Sequence, residues 1–132
     1  MDDQTLNLLK YPVGNFQWNG SPNSEEIKKA IEELERFPEE LKKSLAGVTK
    51  ETLKNRYRPQ GWTIAQVVHH LADSHMHSYL RFKHAILEDI PSIKDYKEAD
   101  WAMLEDASHV DISCSIDLLT ALHKRWTGFL NL

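Results

Sequence analysis

Apolar side chains at Ile27, Ile31, Leu34, Phe37, Leu41 and Leu45 recur at steps of three and four, the spacing that lines one face of a helix. Ser24 stands where an N-cap hydroxyl can accept an orphan backbone N–H, and Glu25 and Glu26 suit the positive end of the dipole that follows. Pro38 interrupts the stripe without breaking its period, which predicts one kinked helix or two abutting ones over roughly 24–47. Upstream, Pro12, Gly14, Asn19-Gly20 and Pro22 punctuate residues 1–23, read as an irregular arm. Residues 48–61 read as a turn region closing on Pro59-Gln60-Gly61. Thr63 and Gln66 then form a T-x-x-Q capping box. No proline follows until Pro91, so a helix over about 63–88 is expected, roughly 39 Å long. Residues 91–112 read as a loop with a short helix near 97–104. A last helix starts near Ser113 or Ser115, with Ile116, Leu119, Leu122, Trp126 and Phe129 inward, and runs close to Leu132.

Three substantial helices and no strand point to an all-α fold, an antiparallel bundle in one domain over 1–132. An end rich in Trp126, Phe129, Leu130 and Leu132 implies that this face packs on another subunit or that an element is absent. The 132 residues are 41% apolar and 27% charged, ordinary for a globular chain. Acidic and basic residues alternate about a net charge of -4, as in Glu25-Glu26-Ile27-Lys28-Lys29. That leaves no clustered basic surface for nucleic acid. No run of eighteen apolar residues is present, which excludes a spanning helix, and Met1-Asp2-Asp3-Gln4 opens no signal core. The single Cys114 cannot form an intrachain disulfide, which fits a reducing, cytoplasmic setting.

The candidate chemistry gathers on the second long helix, in Val68-His69-His70-Leu71-Ala72-Asp73-Ser74-His75-Met76-His77, with His84 beyond. On a wheel advancing about 100° per residue, His70, His77 and His84 share one edge, with Ser74 and Asp73 close by. His75 falls within the apolar arc, where a core histidine bonded to a neighbouring helix is expected. His77 and His84 read as partly exposed polar residues, while His109 and His123 lie outside the cluster and take no role. His70 is either a boundary histidine with one hydrogen bond or a metal ligand. No two of these histidines are four apart and there is no H-E-x-x-H, so a full three-ligand site needs donors from other helices or another chain.

Tyr57-Arg58-Pro59-Gln60-Gly61-Trp62-Thr63 followed by Gln66 through Met76 resembles the YfiT family of the DinB-like superfamily. The likeness extends through Ser78–Lys83, Trp101-Ala102, Leu122–Thr127 and the early Tyr11-Pro12-Val13-Gly14. It implies a four-helix bundle holding nickel or zinc through three histidines. One matches His70, eight residues after Trp62, with His69 as the alternative if the register is one residue off. The other two belong to an H-x-x-x-H on a fourth helix, and this chain reaches only what corresponds to the third. The expectation is therefore a C-terminally incomplete domain with about three bundle helices and an incomplete metal site.

The resemblance implies metal-dependent hydrolysis of a small molecule, or transfer of a low-molecular-weight thiol such as bacillithiol, in a cytoplasmic homodimer. An open metal site can lower the pKa of bound water, and the same Lewis acid can stabilise a thiolate. Asp73, one turn from His70, is read as a partner for its second ring nitrogen, as a base, or as an exposed helix residue. Cys114 is read as structural or incidental, without a neighbouring base. The contrasting reading is a non-catalytic helical module that self-associates through its uncovered apolar face.

Overall fold

A computed structural model describes all 132 residues. Its elements in chain order are α1 (Asp3–Lys10), α2 (Ser24–Ser44), α3 (Lys50–Leu53), α4 (Ile64–Leu87), α5 (Glu98–Trp101), a 3-10 turn (Glu105–Ser108) and α6 (Ser113–Leu130). No strand forms. One isolated bridge, between Arg56 and Thr63, closes the turn before α4.

The N-terminal arm departs from its expectation, because residues 3–10 are helical. Asp2 caps this α1 by accepting from the Thr5 N–H at 2.7 Å, and Lys10 sits favourably in its last turn. None of its residues is buried, so local capping rather than packing defines it. A second difference lies at the start of α2. The cap is Asn23, not Ser24, and it completes a reciprocal box with Glu26 at 2.9 and 2.7 Å.

α2 runs as one helix through Pro38. Proline has no N–H to return to the carbonyl four residues earlier, so the Leu34 carbonyl is left without its usual helical partner. It finds one across the core, in the His123 ring at 2.6 Å.

α4 begins at the expected box. Thr63 N–H donates to Gln66 Oε1 at 2.9 Å, and Gln66 N–H donates to Thr63 Oγ1 at 3.1 Å. The buried Gln66 amide also donates to the Ala102 carbonyl at 2.7 Å, tying the end of α5 to the start of α4. Gly61 is required just before this box, since a Cβ there would meet Arg58 Cγ at 2.7 Å and Tyr57 Cε1 at 2.9 Å. Thr63→Ala should lower stability by about 1 kcal/mol in urea unfolding. Thr63→Ser should retain most of it, and equal losses in both would argue against the cap.

α6 packs against both α2 and α4, while the 3-10 turn, α3 and α5 close over α4. The core is lined by Leu53, Ala65, Val68, Ala72, Ala102, Ala107, Leu119 and Trp126. Leu119 and Trp126 are inward as their spacing predicts, and His123, which lies outside the histidine cluster of α4, is buried with them. No helix is long and apolar enough to cross a membrane.

Candidate metal centre

His70 projects from α4 into an aromatic frame. Its ring centroid lies 4.8 Å from Trp62 and 6.3 Å from Tyr96, and the Tyr96 hydroxyl approaches Nδ1 at 3.4 Å. Tyr96 is held in turn by stacking on His77 at 4.0 Å, with Trp101 edge-on to both rings. His77 Nδ1 donates to the Asp73 carbonyl at 2.7 Å, so its half-buried ring is locked by helix and aromatics together. His84, two turns further out, is exposed and meets Glu88 at 3.0 Å.

Burial pushes the His70 pKa below the ordinary histidine value, against the attraction of Asp73 and Glu98. A neutral imidazole is the form that can ligate a metal. Its Nε2 makes no hydrogen bond in the protein, whereas both nitrogens of the neighbouring His69 are engaged. His69 Nε2 must donate to the His109 carbonyl at 2.8 Å, leaving Nδ1 to accept from the Ser115 hydroxyl at 2.7 Å. Adjacent histidines thus face different work. His69 ties α4 to the segment leading into α6, and His70 keeps one ring nitrogen without a partner in the protein.

Asp73 is half-buried, and desolvation followed by the nearby Asp106 raises its carboxyl pKa against the pull of His70, His77 and His69. No hydrogen bond joins that carboxyl to His70, whose second ring nitrogen faces Tyr96. Cys114 is exposed and lines a cleft with His69, Asp106, His109, Asp111 and Ser115. His75 behaves as its apolar position implies, bonding to His123 of α6 at 2.6 Å. Sequence spacing could have found His123 too, since it lies four residues after Leu119 and three before Trp126 on the inward face of α6.

A three-ligand site is not formed by these residues. No group of three or more His, Cys, Asp or Glu side chains in the chain is placed to hold one metal ion. His70 is chemically suited to be one ligand, and the donors around it do not complete a set.

The sequence profile of the DinB superfamily matches residues 33–131. The chain belongs to the DinB superfamily. A protein of Bacillus mycoides (strain KBAB4) named "putative metal-dependent hydrolase" is 46% identical over 122 residues, covering 92% of this chain and 70% of that relative. One of the same name from Bacillus cereus (strain B4264) is 45% identical over 125 residues, covering 95% and 72%. Among solved structures, YfiT from Bacillus subtilis superposes with a TM-score of 0.91 at 44% identity, over 94% of this chain and 71% of that one. It is described as "a probable metal-dependent hydrolase with an unusual four-helix bundle topology". The all-α, YfiT-like bundle expected from Gly61-Trp62-Thr63 and the histidine helix is therefore the fold of this DinB-superfamily chain, with α2, α4 and α6 as its three long helices.

Proposed function

We propose that this chain takes part in metal-dependent hydrolysis of a small molecule, with His70 as the metal ligand contributed by α4. The observation that carries the reading is the free Nε2 of a neutral, aromatically framed His70 beside a His69 whose nitrogens are both engaged. The names carried by relatives about 45% identical to it support the same chemistry. The ion is nickel or zinc, a divalent metal that accepts imidazole nitrogen. Its remaining ligands come from outside the side-chain groups of residues 1–132. A second subunit of a homodimer is one source, and the exposed Leu80, Phe82, Ile86 and Leu87 of α4 offer apolar surface for such association. Asp73, with its raised pKa, is the candidate base or polar partner at this centre. A low-molecular-weight thiol is the alternative small-molecule substrate, and the cytoplasm the proposed compartment.

The test is elemental analysis of protein purified without a histidine tag or chelator, as wild type and as His70→Ala. Wild type should carry nickel or zinc, and the variant should lose it while keeping its helical circular dichroism. Sedimentation of the same samples reads whether the metal travels with a dimer. Metal-free wild type, or equal metal in both proteins, would overturn the assignment of His70.

A further inference from the structure

The polar core between the long helices carries an inference of its own. It begins with Pro38. Because residue 38 has no N–H, the Leu34 carbonyl is available on the inward side of α2, and His123 Nδ1 reaches it at 2.6 Å. A carbonyl can only accept, so Nδ1 of His123 carries the proton and, in the neutral ring, Nε2 is a bare lone pair. That lone pair lies 2.6 Å from His75 Nδ1, which must therefore be the donor. Neutral His75 is accordingly the Nδ1–H tautomer, and its Nε2 has no hydrogen-bond partner in the protein.

We infer that the His75–His123–Leu34 chain is a proton-counting latch across α4, α6 and α2, which keeps its bond on gaining one proton and loses it on gaining two. The first proton binds His75 Nε2. The proton between the rings then stays on His75 Nδ1 or moves to His123 Nε2, and one N–H still bridges the pair. A second proton puts an N–H on both facing nitrogens. Two donors then confront each other at 2.6 Å in two cationic rings whose centroids are 4.9 Å apart, with no acceptor between them. The latch must open.

The surroundings favour such a response. Phe37 of α2 packs against both rings at 5.0 and 5.2 Å, and Trp126 of α6 lies near-perpendicular to them at 6.2 and 5.5 Å. No carboxylate bonds to either imidazole. His70 is the titratable group of α4 that acts on His75, and it opposes protonation. The cleft bordered by His123 also holds Glu35, Glu39 and Lys42 of α2 and Lys124 of α6, with Glu39 and Lys42 3.9 Å apart as an exposed pair.

Burial, reinforced by His123 and His70, holds His75 at about 4. Burial also lowers His123, against the bond to Leu34. Both folded-state values lie below the ordinary 6.5, so on acidification the unfolded chain takes up protons first. Stability from the pair is full above about pH 6.5 and is lost as the pH falls toward 4.

Nitrogen-15 NMR of the histidines in the full chain tests the tautomers directly. At neutral pH, His123 and His75 should both carry their proton on Nδ1, and a His75 protonated on Nε2 would overturn the latch. Chemical unfolding from pH 7 to 4 then compares wild type with His75→Asn, whose amide nitrogen takes the place of Nδ1 and can donate to His123 but cannot titrate. The wild-type folding constant should fall, relative to the variant, by on the order of ten- to a hundredfold. Parallel pH profiles would overturn the proposal. If His75→Asn does not fold, the NMR result on the wild type decides alone.

Discussion

Leu119→Ala is expected to destabilise the protein by about 3–5 kcal/mol, read as a lower urea midpoint at unchanged slope. The side chain is wholly excluded from solvent, at 0% exposure, on the helix that packs against both α2 and α4. Truncation removes apolar contacts on two sides at once. Neither neighbouring helix can move in to fill the space without leaving the other, so a cavity remains. A loss of that size is a large part of the ~5–15 kcal/mol that holds an ordinary domain together. The adjacent Leu118, 39% exposed on the same helix, is the control. Leu118→Ala should cost under about 1 kcal/mol. Comparable losses at the two positions would mean that α6 does not sit in the register described.

The contrast between those neighbours was legible in the sequence, because helical periodicity is a geometric property of the chain itself. Leu119 and Trp126 of α6 follow from it, as does His75 of α4. The Thr63–Gln66 box was legible for the same reason, since capping needs only residues three apart. α1 was missed because its apolar residues, Leu6, Leu8 and Leu9, fall within a segment of only eight residues, too short for a period to stand out, and Asp2 as a cap is a signal of one residue. At the candidate site the limit was different. Periodicity put His70 near Asp73 on one helix, but Tyr96, the group its Nδ1 actually faces, is twenty-six residues away in a loop. The same limit hid the engagement of His69 by Ser115 and the His109 carbonyl. Contacts that depend on where an irregular segment folds back leave no period to read.

The role of Pro38 was visible only in part, as an interruption that the apolar stripe survived. Its consequence is the second large expected effect. His123→Ala should cost about 2–4 kcal/mol, combining a cavity with two stranded polar groups. His123 is 1% exposed. Without it, the Leu34 carbonyl has neither a ring donor nor a helical N–H, and His75 Nδ1–H loses its acceptor. The carbonyl's share can be isolated by Pro38→Ala, which restores a backbone N–H four residues after Leu34. In the wild type that N–H competes with a donor already in place, whereas in His123→Ala it serves a group that has none. Pro38→Ala should therefore help the His123→Ala protein more than it helps the wild type, by roughly 0.5–2 kcal/mol in a double-mutant cycle. Any general gain from removing a helical proline is common to both backgrounds and cancels in that difference. A coupling of zero would mean that the Leu34 carbonyl does not depend on His123. The proline in α2 would then have no bearing on the histidine in α6.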